Sequence, residues 1–401
     1  MSARHPKPNA LVHRSDGLGG YRPLGVRVLF ATPAYWPAVA FGGPIPVART
    51  LCEGLAARGH DVHVVTTSLT DVRSGRSWRS EARDVGGVTV HYLATPARYR
   101  WMGLTPSLPL ALERLPRPDV AHVFGFRDVV TTATAAWCLG RGVPYVFEPL
   151  GMFEPRVRKV RLKRAFDATV ARHVVRGAAA FAAVSQREAD ALVAGGACRE
   201  LVHVRGNAFP APLDPPRGDL RARLGLEREQ QLVLYVGRIA SGKGIELLLD
   251  SVRGLQDVHL ALAGPDDGHG LHALVERAAR DTGRVHALGV VARPLDLYGD
   301  ADVFVLPSAG ESFGLAAAEA AACGSPVVVT DRCGIVEFFE PDEAVVVPYD
   351  AGALQNAIER VLGDDELRAQ LADGGRAAAA RNSSDAMVEK QEAILTAAAG
   401  G

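Results

Sequence analysis

Short apolar runs recur along the chain, separated by stretches whose apolar positions fall at helical spacing. The first run is Val26–Ala31, VRVLFA, which reads as a strand buried on both faces. A loop with Gly42-Gly43-Pro44 follows. Val47, Leu51 and Leu55 then recur at helical spacing, and Gly59 is a natural stop. The next strand is Val62–Thr67, so strand, helix and strand form a βαβ unit. Further strands are predicted at Val88–Leu93, Val120–Phe124, Tyr145–Phe147 and Phe181–Val184, with helical patterns between several of them.

The rhythm breaks at Asn207–Gly218, NAFPAPLDPPRG. Its four prolines can neither propagate a helix nor join a central strand. It then restarts with Leu232–Gly237, His259–Gly264, Val285–Gly289, Val303–Pro307, Pro326–Thr330 and Ala344–Pro348. The pattern predicts an α/β chain of two successive doubly wound units. The expected organisation is a loose tail over 1–25, a first domain over 26–206, a linker over 207–218, a second domain over 219–376, and a C-terminal helix over 377–401 that crosses back to the first domain. Ligands of such folds bind beyond the carboxyl ends of the strands, which for two domains suggests a cleft between them.

Composition changes this picture in one respect. The chain has 401 residues, 48% hydrophobic and 22% charged, as a soluble globular protein does and a disordered one does not. Its 45 basic and 45 acidic side chains cancel, but not locally. Residues 1–200 hold 27 basic and 15 acidic groups, a net of +12, and residues 201–401 carry −12. Two oppositely charged halves imply two kinds of partner; no nucleic acid is expected as one of them. The five cysteines are far apart and form no C-x-x-C, so neither a zinc site nor a disulfide framework is supported, and a reduced, cytoplasmic setting fits best. No apolar stretch approaches the length of a membrane span, and Met1–Gly25 lacks the apolar core of a signal peptide.

Two segments carry candidate chemistry. Gly237–Gly244, GRIASGKG, follows a strand and nearly matches the phosphate loop G-x-x-x-x-G-K-[ST]. Its last position is Gly244, without the hydroxyl that binds magnesium, which weakens the reading as an ATPase or GTPase. Arg238 and Lys243 remain as two cations on a glycine-rich turn, suited to a diphosphate; the alternative is a turn with solvated charges. The second segment is Pro307–Gly324, PSAGESFGLAAAEAAACG. A strand ends at Pro307 and a helix is expected to start near Phe313, so its first amides form an anion site and Gly314 permits close approach. Glu311 and Glu319 bracket that start. They suit a paired-carboxylate hydrolase, or acceptors for sugar hydroxyls beside a phosphate, or an acid favoured by the helix dipole plus a solvated one.

In order and context, these elements resemble the retaining glycosyltransferases of family 4. E-S-F-G-L-A-A-A-E over 311–319 is similar to that family's E-x7-E motif, after a strand ending in Pro307-Ser308. Gly237-Arg238 with Lys243-Gly244 is similar to its G-R…K-G element, and Gly42-Gly43-Pro44 to its N-domain glycine loop. The resemblance covers roughly residues 26–395. It implies the GT-B fold, two Rossmann-like doubly wound parallel-sheet domains facing each other across a cleft. It also implies transfer of a hexosyl group from a nucleotide diphosphate sugar (a UDP-sugar first, a GDP-sugar second) to a hydroxyl acceptor, with retention and with no bound cofactor or metal. Arg238 and Lys243 would hold the diphosphate, and Glu311 would contact the transferred sugar. Ser312, Phe313, Gly314 and Leu315 would line the donor, Glu319 would bind ribose hydroxyls, Val291 would meet the base, and Gly43 would let the first domain approach the phosphate.

Two departures fall on the acceptor side. The family's H-x-H is His122-Val123-Phe124 here, and its P-H-G is Pro149-Leu150-Gly151. His122, Phe124 and Gly151 are therefore candidate acceptor-side residues, with His122 also readable as a structural strand-end histidine. A non-catalytic sugar-nucleotide or membrane-surface binding protein on the same fold is the competing class. The pairs His60/His63 and His269/His272 offer weak metal candidates, and G-x-G-x-x-G is absent from the first turn, against a nicotinamide dehydrogenase. Finally, Arg156–Arg176 carries a net +7, with Leu162, Phe166, Val170 and Val174 as an apolar stripe. Arg161, Lys163 and Arg164 are candidates for anionic lipid headgroups, with peripheral attachment at the inner membrane face as the matching location; the alternative is a solvated helix face.

Overall fold

A computed structural model describes residues 25–71, 77–99, 102–153, 172–215, 219–227, 229–266, 268 and 270–400. The first sheet is built from β1 (Arg27–Ala31), β2 (Asp61–Thr67), β3 (Glu81–Val85), β4 (Val88–Leu93), β7 (Val120–Phe124), β8 (Tyr145–Glu148), β9 (Ala180–Ala183) and β10 (Val202–Val204), with β5 (Ala97–Tyr99) and β6 (Met102–Leu104) forming a separate hairpin. Its order is β10-β9-β8-β7-β1-β2-β4-β3. β1 lies between β2 and β7, parallel to both, and the apolar runs of these central strands are buried on both faces. β3 is the antiparallel exception. It was not expected, because EARDV is almost wholly exposed and has no apolar alternation. The readable signal was its turn: Gly86 and Gly87 take φ +62° and +82°, the two left-handed positions of a tight hairpin.

The second sheet comprises β11 (Gln231–Val236), β12 (Val258–Ala263), β13 (Val285–Gly289), β14 (Val303–Leu306), β15 (Val327–Thr330) and β16 (Val345–Val347). Its order is β13-β12-β11-β14-β15-β16, the doubly wound arrangement, with the observed neighbours parallel. Every expected strand of this half is present. Its core includes Val233, Leu234, Val303, Phe304 and Val328 from the strands, with Leu248, Ala317 and Ile358 from flanking helices.

Contacts divide the described chain into one compact unit of 25–148, 172–181 and 392–400, and another of 149–153 and 182–391. Within 207–215 there is neither helix nor strand. This stretch is nonetheless anchored, since Phe209 N–H donates to Asn382 O at 2.9 Å and Leu213 N–H to Ala322 O at 2.9 Å. The C-terminal region is two helices, Asp365–Arg381 and Ser384–Gly400. The basic segment is described only in its last turn, the helix Arg172–Gly177; Arg161, Lys163 and Arg164 lie outside the described residues. Among the described residues no helix is long and apolar enough to cross a membrane.

Candidate functional site

In the second sheet the order reverses between β11 and β14, the switch point beyond which ligands of doubly wound sheets bind. The loop after β11 is Gly237–Gly244 and the loop after β14 is Pro307–Gly314, so both segments singled out in the sequence arrive at one place. They are joined through the backbone, with Ala309 N–H donating to Gly242 O at 2.9 Å. Gly244, at φ +73°, explains the failed phosphate-loop match. A Cβ there would stand 1.8 Å from the carbonyl oxygen of Pro307, so no Ser or Thr fits. The glycine serves the approach of two loops, and the magnesium-binding hydroxyl of an NTPase has no room at this position.

Across this junction Lys243 Nζ pairs with Glu311 Oε2, each side chain about one-fifth exposed. Arg238 is exposed on the same loop. Its carbonyl accepts a hydrogen bond from the buried Tyr235 hydroxyl at 2.8 Å, which fixes the turn from beneath. Burial, and secondarily the Glu311 charge, pushes the Tyr235 phenol up, so it stays a neutral donor.

Glu311 is held on both sides of its peptide. Its N–H donates to Arg332 O at 3.2 Å, and its carbonyl accepts from Gly334 N–H at 3.0 Å. Phe313 turns its ring into the core against Phe209 and Phe338, at centroid distances of 6.1 and 5.1 Å. The helix begins at Leu315, two residues later than expected, with Gly314 as its cap at φ +120°. The leading amides of Leu315 and Ala316 precede the helical ladder and sit at the carboxyl end of β14.

Glu319 lies inside that helix and is largely buried. Burial raises its pKa, while a 2.8 Å hydrogen bond from the Tyr298 hydroxyl works the other way. Tyr298 and Tyr235 were missed in the sequence because nothing local marks a core tyrosine as a polar partner. Val291 follows the end of β13, half-buried against the core.

The acceptor-side candidates divide. His122 and Phe124, the candidate acceptor-side residues of β7, are both fully buried. Their strand β7 is central and covered on both faces. Phe124 packs on Phe30 at 5.0 Å, and His122 Nε2 lies 3.0 Å from Glu148 Oε2, with both side chains inaccessible. The structural reading of His122 accounts for this geometry. Gly43 caps the helix Pro44–Ala57.

Gly151 is different, since it meets the Glu311 loop. At φ +73°, a Cβ on it would come 1.6 Å from Ser312 Oγ. Its N–H donates to Glu188 Oε1, and Glu188 Oε2 also accepts from Val184 N–H at 2.9 Å. Leu150 before it is held at φ +55°, which costs a leucine about 1–2 kcal/mol. Glu188 was missed, although Ser185-Gln186-Arg187-Glu188 has the spacing of a capping box. Ser185 does cap the helix Gln186–Ala194, but the glutamate reaches outward to Gly151. Among the described residues no group of three or more His, Cys, Asp or Glu is arranged to hold a metal.

The two parallel-sheet α/β units have the GT-B fold, as superposition on solved glycosyltransferases shows. Sucrose-phosphate synthase from Thermosynechococcus elongatus superposes with TM-score 0.73 over 93% of this chain and 98% of its own, at 22% identity. Alr3699/HepE of Anabaena, solved with UDP and glucose, gives TM-score 0.71 over 93% and 99%, at 20% identity. Residues 42–208 match the glycosyl transferase 4-like domain, and residues 216–378 match the glycosyl transferases group 1 model. The chain belongs to the group 1 glycosyltransferases. The D-inositol 3-phosphate glycosyltransferase of Xylanimonas cellulosilytica is 36% identical over 226 residues, 52% of this chain and 54% of that protein. The match thus spans about half the length of this curated relative.

Proposed function

We propose that this protein is a retaining glycosyltransferase. It moves a hexosyl group from a nucleotide diphosphate sugar to a hydroxyl of a lipid-linked or envelope glycan or of a small metabolite. The observation that carries the reading is the meeting of Lys243 and Glu311 where the second sheet's order reverses, with Arg238 and the start of the helix Leu315–Ala322 on the same side. Cleaving a glycosyl–phosphate bond builds negative charge on the diphosphate and positive charge on the sugar. Lys243, Arg238 and the helix amides answer the first, and Glu311 faces the second. The donor diphosphate would compete with Glu311 for Lys243, freeing the carboxylate toward the sugar. The anomeric C–O bond to phosphate breaks, the acceptor oxygen bonds to that carbon from the same face, and the acceptor proton passes to the leaving phosphate oxygen. No protein base and no metal is assigned to this step, because the cations and amides already meet the charge that forms.

A UDP-sugar is the first choice of donor, supported by the UDP and glucose held by the Anabaena relative, and a GDP-sugar is the second. Glu319, with Tyr298 behind it, is assigned to ribose hydroxyls, and Val291 to the base. Arg161, Lys163 and Arg164 are assigned to an anionic membrane surface; vesicle binding that is insensitive to salt, or absent at low salt, removes that assignment. The donor is tested by thermal shift with a panel of nucleotide sugars, since a ligand of the folded state raises apparent stability. Lys243→Ala and Glu311→Ala should each abolish transfer while leaving the unliganded melting temperature close to wild type. Wild-type turnover in either variant would sink the proposal.

A further inference from the structure

Three chain segments lie against one another beside Glu311. They are Ser185–Arg187 at the start of the helix Gln186–Ala194, Arg332–Glu337, and Glu311–Ser312. The exposed Glu337 carboxylate accepts from Gln186 N–H at 2.6 Å and from Arg187 N–H at 3.4 Å. These are the first amides of that helix, ahead of its internal ladder, and a carboxylate there is favoured by the helix dipole. Arg187 Nη1 donates to Arg332 O at 3.1 Å. The same carbonyl accepts from Glu311 N–H, and Gly334 N–H donates to Glu311 O. Gly334 must be glycine, since a Cβ would lie 2.1 Å from Ser312 O and 2.7 Å from Ser185 Cβ.

We infer that Glu337 and Arg187 form a clamp that positions Glu311. Glu337 and Arg187 tie Arg332–Glu337 to the helix start, and Arg332 and Gly334 in turn grip both sides of the Glu311 peptide. Neither clamp residue touches the reacting atoms; they act through the backbone that carries Glu311. The inference rests on the reading of Glu311 as the group facing the transferred sugar. The consequence is steep, because a misplacement of about 1 Å costs on the order of 100-fold in rate. Glu337 is exposed, so its loss leaves the core intact.

The test uses the full chain and two independent variants. Glu337→Ala removes the acceptor. Gln186→Pro removes its strongest donor at the first helical position, where proline is tolerated, and Ser185 before it already has the extended conformation that proline favours. Hydrogen exchange at the amides of Glu311 and Gly334 should accelerate about tenfold in both variants, and Glu337→Gln, which keeps an acceptor oxygen, should recover most of the protection. With UDP-glucose as the donor probe, kcat for UDP release should fall about tenfold while KM stays within about twofold. Unchanged exchange in both variants, or equal losses in kcat and KM, overturns the clamp. If wild type releases no UDP from UDP-glucose, the donor reading fails, and the exchange result alone decides the clamp.

Discussion

Gly244→Ala should damage the protein through a contact rather than through conformation, and Gly242→Ala separates the two effects. Both glycines lie on the loop after β11 with left-handed backbones, at φ +73° for Gly244 and +83° for Gly242. A Cβ on Gly242 meets nothing within 4 Å, so alanine there costs only the left-handed term, about 1 kcal/mol. A Cβ on Gly244 stands 1.8 Å from Pro307 O, where real contacts almost never fall under 3.0 Å, so the loop after β14 must move by about 1.2 Å. Overpacking of that kind adds roughly 1–3 kcal/mol, for a total of about 2–4 kcal/mol. A unit of this size loses about 2–4 °C in melting temperature per kcal/mol. Gly242→Ala should therefore lower Tm by about 2–4 °C, and Gly244→Ala by about 4–16 °C. The same displacement carries Glu311 away from Lys243, so stabilisation by added UDP should shrink in Gly244→Ala and persist in Gly242→Ala. Scanning calorimetry with and without UDP reads both. Equal melting temperatures for the two variants would refute the close-approach argument.

Glu319 has a raised pKa from burial, so the folded chain holds its proton more tightly than the unfolded one. Its ionisation therefore destabilises the fold as pH rises above 4.5 toward the raised value, and Glu319→Gln should raise Tm at pH 7 and flatten that part of the pH profile, while weakening UDP binding. Tyr298→Phe removes the hydroxyl that opposes the shift, and should raise the Glu319 pKa further, seen by NMR titration of the carboxyl carbon. Glu148→Ala removes the 3.0 Å contact to buried His122 and should cost about 1–3 kcal/mol in denaturant unfolding, with UDP affinity unchanged. Asp128→Ala removes the cap on the helix Val129–Arg141, where its carboxylate accepts from Thr131 N–H at 3.0 Å, and should cost about 1 kcal/mol.

The strands were legible wherever they were buried on both faces, because a run such as VFVL can satisfy its apolar side chains only inside a parallel sheet. The polar edge strand β3 and the three-residue strand β10 escaped, since their pairing is set by the neighbour rather than by their own pattern. The meeting of the two candidate loops was legible for a related reason. Lys243 and Glu311 each sit on the loop after a recognisable strand, and the doubly wound order brings those two loops together. A motif position alone does not say which way a strand residue faces, and the central strand that carries His122 and Phe124 is covered on both sides and buries every residue.

What sequence could not disclose is the second ring of contacts, and the reason is physical. Glu188 bonds the amides of Gly151 and Val184, Glu337 those of Gln186 and Arg187, and Arg332 offers a carbonyl to both Arg187 and Glu311. Each joins a side chain or carbonyl to a backbone group, and backbone groups are identical in every residue. A carboxylate aimed at an amide 151 positions away leaves no mark at the amide's end. In the proposed clamp the contacts of Glu337, Arg187 and Arg332 set where Glu311 stands, and a site can therefore keep every recognisable motif residue yet work poorly. Substitutions at Glu337 and Glu188 should therefore alter turnover more than substitutions at Phe124.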